Sequence, residues 1–203
     1  MAQGQTILHA LRYHLGWDTA HSQTSDAERE ILVQYARERH TLAEIGVFEG
    51  KTTAALARAM APNGVLYAID PHFPGRLGIC WSKGIARREV ARARALGRVV
   101  FLEQLSFEAV KAMQAPLDFL FIDGDHSRQG IQRDWNDWAP LISQGGIVAL
   151  HDTHFSAEYP DSAEWESVRY FEEQIRYDSR FKLLDQVELL SFMQRRESPE
   201  LET

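Results

Sequence analysis

Cysteine is all but absent from this chain: Cys80 stands alone among 203 residues, which excludes an internal disulfide framework and any zinc ribbon. No stretch approaches the ~20 consecutive apolar residues of a membrane-spanning helix, and the first residues lack the basic-then-apolar pattern of a secretory leader. Together with the single thiol, these absences predict a cytoplasmic protein. Positive charge is in deficit, with 22 Lys and Arg against 29 Asp and Glu. That balance argues against nucleic acid gripped by a broad basic face, and against an anionic membrane surface as partner. The cluster Arg87, Arg88, Arg92, Arg94 and Arg98 reads as a solvated helix face, with a local basic patch as the alternative. No internal repeat and no linker divides the chain, whose length suits one α/β domain with a full core. At 44% hydrophobic and 25% charged residues, disordered and fibrous classes drop out.

What the chain does have is an alternation of short apolar runs and helix-period segments. Residues 41–45, 65–69, 98–102, 117–122 and 146–150 read as buried strands, and 181–186 and 188–193 as two closing strands. Helices are predicted from the glycine turn after Ile45 to about Met60, over 85–96 with Gly97 as C-cap, and over 107–113. Another carries Ile131, Trp135 and Trp138 inward and stops at Pro140; a last one covers 162–177, with Trp165, Val168, Phe171 and Ile175 inward. Ahead of the strands lies a short apolar-periodic helix (Ile7, Leu8, Leu11, Leu15), then the polar stretch 18–25. A capping box of Ser25 and Glu28 opens the next helix, with Ile31, Leu32 and Tyr35 on one face. Residues 71–84, rich in Pro, Gly and aromatics, read as a loop over the site or a substrate-binding insertion. Alternating strands and helices require a mostly parallel sheet with right-handed crossovers. The expectation is an α/β, Rossmann-like, doubly wound, mostly parallel seven-stranded sheet with an antiparallel last strand. Residues 1–40 form a helical lead-in, 41–194 the Rossmann-like domain and 195–203 a charged, frayed tail.

Two polar tetrads interrupt the apolar runs. Asp123-Gly124-Asp125-His126 ends the fourth strand and His151-Asp152-Thr153-His154 the fifth. Acid and imidazole there stand at the carboxyl edge, where open α/β sheets bind ligands. If the two strands are neighbours, both tetrads meet over one crevice. A third motif, Glu44-Ile45-Gly46-Val47-Phe48-Glu49-Gly50-Lys51-Thr52, sits where the first strand hands over to a helix. Glycines let backbone approach a ligand there, and the helix start offers free N–H groups to an anion. The motif is not a P-loop, which needs four residues between its glycines where this chain has three. The dinucleotide fingerprint fails too, because Phe48 occupies its second glycine.

An acidic residue, glycine, three residues and glycine resembles the nucleoside-binding turn of class I S-adenosylmethionine-dependent methyltransferases. The resemblance implies a cofactor site made of Glu44, Gly46, Gly50, Thr52, Asp70, Ser106 and Asp123. The amino-acid end would lie by Gly46 and Thr52, Asp70 would take the ribose hydroxyls, and Ser106 would touch adenine. The two tetrads, with Gly145-Gly146 between them, are similar to a small metal-dependent O-methyltransferase family. Its kin include catechol-type, antibiotic and sugar O-methyltransferases and proteins labelled cephalosporin hydroxylases. The similarity spans about 44–153. It implies a divalent metal, Mg²⁺ or Mn²⁺, on Asp123, His151 and Asp152. It also implies that His126 is the catalytic base, where catechol-type enzymes carry lysine. Those enzymes carry Asp where His151 stands, and imidazole suits Mn²⁺, Fe²⁺ or Zn²⁺ better than Mg²⁺.

The chemistry expected is metal-assisted methyl transfer from S-adenosylmethionine to a hydroxyl of a small molecule, with a sugar or glycoside preferred. A histidine side chain, titrating near ~6.5, suits proton abstraction at neutral pH. Capping the next helix or binding the metal are the other uses open to His126. A non-haem iron oxygenase is the alternative, with His151, a second His and Asp123 or Asp152 as facial triad. It leaves residues 44–52 without a role. A binding module without turnover conflicts with the intact acids and imidazoles. Nucleic acid and membrane are not expected as partners. A homo-oligomer stays open, since the lead-in can cover its own site or a neighbour's. His72 and Trp81 read as a wall for the acceptor, Phe48 as core, and His154 as a further ligand or surface.

Overall fold

The computed structural model describes residues 6–75, 78–113 and 115–197. Its strands are β1 (Thr41–Ile45), β2 (Val65–Ile69), β3 (Arg98–Leu102), β4 (Leu117–Ile122), β5 (Ile142–Leu150), β6 (Phe181–Val187) and β7 (Leu190–Arg195). They form one sheet in the order β3-β2-β1-β4-β5-β7-β6. Neighbours from β3 to β5 pair in parallel, while β7 runs antiparallel between β5 and β6. The sheet is the doubly wound, Rossmann-like arrangement expected, with its last strand reversed. Strand order changes direction between β1 and β4, the switch point at which such sheets open a crevice. Ile45 is in register with Ile69 and Ile122, and Ile122 with Leu150. The residues that follow these four therefore leave the sheet at one level.

Seven helices flank the sheet among the described residues: α1 (Ile7–Leu15), α2 (Asp26–Ala36), α3 (Lys51–Ala59), α4 (Trp81–Ala93), α5 (Ser106–Ala109), α6 (Arg128–Trp138) and α7 (Glu166–Glu173). β4 shows why the sheet is covered on both sides. Phe119 and Phe121 face one apolar layer with Leu32, Leu56 and Phe192. Leu120 and Ile122 face the other, with Trp135, Trp138 and Phe171. Side chains alternate across a strand, so an unbroken apolar run needs partners on both faces. No helix among the described residues is long and apolar enough to cross a membrane.

Three elements depart from expectation. α4 starts at Trp81, so Trp81 to Gly84 belong to its first turn rather than to a loop. It ends at Arg94, in the left-handed conformation, not at Gly97. Gly97 has another job: a Cβ there would lie 2.2 Å from the Gly64 carbonyl oxygen. Residues 162–177 do not form one helix, because the extended backbone of Trp165 separates the turn Pro160–Glu164 from α7. In α1 the apolar residues Ile7, Leu8, Leu11 and Leu15 are exposed, while His9, Ala10 and Tyr13 are buried. Polar partners decided that orientation, since His9 meets Asp18 and Glu49, and the Tyr13 hydroxyl meets Glu89. Of the tail, 198–203 lie outside the described residues.

Candidate active site

The turn after β1 is held by contacts that admit only glycine. Gly46 has φ 91°, and a Cβ there would sit 1.9 Å from the Asp123 carbonyl oxygen. Gly50, at φ 76°, lies with its missing Cβ 2.7 Å from the Ala86 Cα, which lets α3 pack on α4. Both glycines thus serve close approach of protein backbone. Asp70, directly after β2, closes the turn. Its Oδ2 accepts from the Val47 and Phe48 amides at 3.0 and 2.9 Å, and its Oδ1 from the His72 amide at 2.7 Å. Phe48, at φ 50°, is not core: it is half-buried and lines the cleft beside Asp70.

That cleft has a volume of about 390 Å³ and runs from Gly46 and Asp70 past Ser106 to Asp123. Gln23, from the segment between α1 and α2, lines it too, so the lead-in covers the site of its own chain. Ser106 opens α5, and its hydroxyl donates to Asp134 of α6. Asp134 is 3% exposed. Burial pushes its carboxyl up to about 6, with the Ser106 hydroxyl pulling the other way. Phe73 stands exposed at the mouth. Of the two aromatic groups expected to wall the acceptor, Trp81 packs instead with Ala10, Tyr13 and Ile85 under α1. His72 is buried beside Asp70, and desolvation lowers its pKa.

Thr52 and Glu44 sit deeper, in a small pocket shared with Asp123. The Thr52 hydroxyl is 2.9 Å from that of Thr24, tying α3 to the segment before α2. Glu44 is fully buried, and neither carboxyl oxygen has a hydrogen-bond partner among the described residues. Desolvation lifts its pKa to about 8, Thr53 partly opposing and Asp123 and Asp70 adding.

The two tetrads meet, as β4 and β5 are neighbours. His151 Nδ1 lies 3.2 Å from Asp123 Oδ1 and 3.3 Å from Asp152 Oδ1. His126 Nδ1 lies 3.1 Å from Asp152 Oδ2, and its Nε2 3.6 Å from Asp123 Oδ1. His126 does not cap α6; Ser127 does, accepting from the Gly130 amide at 3.1 Å. His154 is half-buried, with Nδ1 2.8 Å from the Glu188 carbonyl oxygen. Asp152 adopts φ 53°, a costly conformation for a non-glycine residue that aims its carboxylate between the imidazoles.

A fifth member comes from α2. Glu28, read from sequence only as half of a capping box, forms that box and is 2% exposed. Its Oε2 lies 3.4 Å from His151 Nε2 and accepts the Ser25 amide at 2.8 Å, while Oε1 accepts the Leu189 amide at 3.1 Å. Burial disfavours charge on His151, but Asp123, Glu28 and Asp152 outweigh it and hold its pKa well above 6.5. Asp123 is lowered, the imidazoles overcoming its burial. Asp152 is raised by burial ahead of the pull from both imidazoles.

Carboxylates and imidazole are donor types a divalent cation takes, though the ligand atoms of Asp123, His151 and Asp152 are not gathered as closely as those of His9, Asp18 and His21, which all lie within 4.8 Å of one another. His151 Nδ1 and Asp123 Oδ1 are buried and adjacent, yet neither has an aligned hydrogen bond. The other ring nitrogen of His151 faces Glu28, the arrangement in which a ligating imidazole gives its second N–H to a carboxylate. Carboxylates that hold a proton on this ring supply the charge a cation would meet in its place.

Known proteins carry the same frame. The chain is similar in structure to the O-methyltransferase TomG from Streptomyces achromogenes, solved with SAM, at TM-score 0.64 and 18% identity over 97% of this chain and 92% of that one. It is similar to an O-methyltransferase from Bacillus cereus, solved with SAH, at TM-score 0.66 and 18% identity over 96% and 93%. A methyltransferase from Geobacter sulfurreducens matches at TM-score 0.66 and 14% identity over 97% and 90%. At such identities the likeness establishes the fold. The family follows from the sequence match of a methyltransferase domain to residues 43–153. With that match covering more than half the chain, from β1 through the second tetrad, this protein belongs to the methyltransferase domain family.

Proposed function

We propose that this protein transfers the methyl group of S-adenosylmethionine to a hydroxyl of a small molecule, assisted by a divalent metal ion, Mg²⁺ or Mn²⁺. One observation carries the reading: imidazoles and carboxylates from two adjacent strand ends converge beside a cleft at the switch point of the sheet. TomG and the Bacillus cereus enzyme, solved with SAM and SAH, support the choice of nucleoside. Asp70 would take the ribose hydroxyls and Ser106 would touch the base. Gly46, Gly50, Glu44 and Thr52 shape the amino-acid end. Asp123, His151 and Asp152 would hold the metal, with Glu28 orienting His151. A bound divalent ion would lower the pKa of the acceptor hydroxyl and fix its position.

The methyl group moves in line from sulfonium sulfur to acceptor oxygen. The sulfur–carbon bond breaks as the carbon–oxygen bond forms, and the acceptor must shed its proton. His126 takes that proton: it is half-exposed beside Asp123, and Asp152 holds its Nδ1. Alignment of donor and acceptor by the cleft walls supplies much of the rate, because it removes orientational freedom beforehand. A sugar or glycoside is the preferred acceptor, supported by the polar mouth at Gln23, Asp125 and Arg133 and by the exposed Phe73 ring. A second reading, an iron oxygenase, is favoured by one feature, two imidazoles sharing Asp152. It gives the cleft at Asp70 and Ser106 nothing to bind.

Calorimetric titration of metal-stripped protein with S-adenosylmethionine tests the proposal, repeated with Mg²⁺ or Mn²⁺ added. One-to-one micromolar binding is expected in at least one condition. Folded protein that binds in neither overturns the reading and brings the oxygenase forward. His126→Ala should lower kcat by about 10²–10⁴-fold, the usual contribution of a general base, with cofactor affinity nearly unchanged. A large loss of affinity would make His126 structural instead.

A further inference from the structure

A separate cluster of histidine and carboxylate side chains lies where the lead-in crosses the glycine turn, beside the small pocket that His21 shares with Thr52 and Asp123. His9 is buried on the inner face of α1. Its Nδ1 is 2.9 Å from Asp18 Oδ2 and its Nε2 is 3.1 Å from Glu49 Oε2. His21 stacks on it with ring centroids 3.9 Å apart, and the His21 amide donates to Glu49 Oε2 at 2.6 Å. His9, Asp18 and His21 each offer a ligand atom, all within 4.8 Å of one another. Glu49 adds an independent sign. It is fully buried within the turn between β1 and α3, and its Oε1 has no hydrogen-bond partner. Two imidazoles and two carboxylates therefore converge on one spot, with a carboxylate left underused in the interior.

We propose that His9, Asp18 and His21 form a transition-metal site, for Zn²⁺ or an ion of similar borderline character, that clasps the lead-in to the glycine turn. The donor set is the nitrogen and oxygen mixture such ions take, and a fourth position stays open to water. Nδ1 of His9 ligates beside Asp18, while its Nε2–H is held by Glu49, which fixes the tautomer as an outer carboxylate does in metal sites generally. Asp18 is half-buried and His21 exposed, so the ion enters from solvent. The clasp has a consequence for the cleft. Gln23, two residues beyond His21, lines it, and Thr24 is bonded to Thr52. Metal binding thus orders one wall of the cofactor cleft through its hold on residues 18–24.

The test counts ions in full-length protein stripped with chelator and titrated with Zn²⁺, with Co²⁺ as spectroscopic probe. Asp152→Ala serves as the starting protein, so that the strand-end cluster lacks one of its groups. One Zn²⁺ per chain, visible d–d bands with Co²⁺, and a melting temperature that climbs with Zn²⁺ are expected. Adding His21→Ala or Asp18→Asn should abolish all three. Glu49→Gln should weaken Zn²⁺ binding by about 10–100-fold, the usual effect of losing an outer partner. In protein with Asp152 intact, His21→Ala should lower the bound count by one, which guards against misfolding of the starting variant. Zn²⁺ binding that survives His21→Ala unchanged, or no rise of melting temperature with Zn²⁺, overturns the proposal. Either result leaves the strand-end reading untouched, because His9, Asp18, His21 and Glu49 are not among the groups proposed to hold its metal.

Discussion

Replacing Glu28 by alanine isolates what α2 does for the site. The carboxylate is 2% exposed and serves three groups: the Ser25 and Leu189 amides at 2.8 and 3.1 Å, and His151 Nε2 at 3.4 Å. Truncation strands a buried amide, at about 1–3 kcal/mol, and leaves a buried imidazolium short of one partner. Breaking a buried ion pair from one side costs about 3–5 kcal/mol. These contributions overlap because they share one carboxylate, so the expected loss is about 3–5 kcal/mol in total. At roughly 2–4 °C per kcal/mol for a chain of this size, the melting temperature should fall by about 6–20 °C. Glu28→Gln, which still accepts from an amide, should lose less. The pH dependence carries a sign as well. The folded-state pKa of Glu28 is lowered from 4.5: burial raises it, but His151 and the Ser25 and Leu189 amides together outweigh burial. Its contribution is therefore fully present above 4.5 and lost as pH falls through the lowered value. On the His151 side the folded pKa is raised, so that contribution is present below 6.5 and lost as pH rises through the raised value. Urea denaturation across pH measures both. A Glu28→Ala protein within about 0.5 kcal/mol of wild type, the range of ordinary surface changes, would refute the buried pair.

Asp70→Ala should weaken S-adenosylmethionine binding by about tenfold or more, since a hydrogen bond to a charged group is worth about 1.5–3 kcal/mol. It should also destabilise the protein, because the Val47, Phe48 and His72 amides lose their acceptor. Calorimetry at a temperature where the variant is folded separates the two effects, and unchanged affinity would remove Asp70 from the cofactor site. Asp134→Asn should flatten the pH dependence of stability. The folded pKa is raised to about 6 from 3.8, so wild type loses stability as pH rises through that window, by roughly 3 kcal/mol at most. Denaturation curves at pH 4 and pH 8 check it, and equal pH dependence in both proteins would count against the buried acid.

The legible part of this protein is the part governed by short-range periodicity and by glycine. Apolar runs such as 117–122 can be satisfied only as strands covered on both faces, so their number and parallel order were readable from spacing. The pattern from Glu44 to Thr52 was readable because Gly46 and Gly50 stand at left-handed positions where no side chain fits. Phe48 misleads, since being large and apolar says core, while the left-handed turn puts its ring at the cleft. Trp81 misleads in the opposite way: the end of the loop it was assigned to, from Trp81 to Gly84, is the first turn of α4, and its ring is drawn under α1. Asp134 and Glu28 gave no signal beyond helix position, because a charged residue in an amphipathic helix is ordinarily a solvated one.

By itself, then, the sequence determined the α/β alternation, the glycine turn and the two polar tetrads at strand ends. Each depends on residues within a few positions of one another and on backbone geometry that few residue types can adopt. Only the tertiary structure decided that β4 and β5 lie side by side and bring His126 and His151 each within 3.6 Å of both Asp123 and Asp152. It also decided that Glu28 reaches His151 across 123 positions of chain, and that His9 and His21 stack over Glu49. Those pairings join groups far apart in sequence, and their strength comes from burial. Desolvation turns a capping residue into the partner of a buried imidazole, and no local pattern records it.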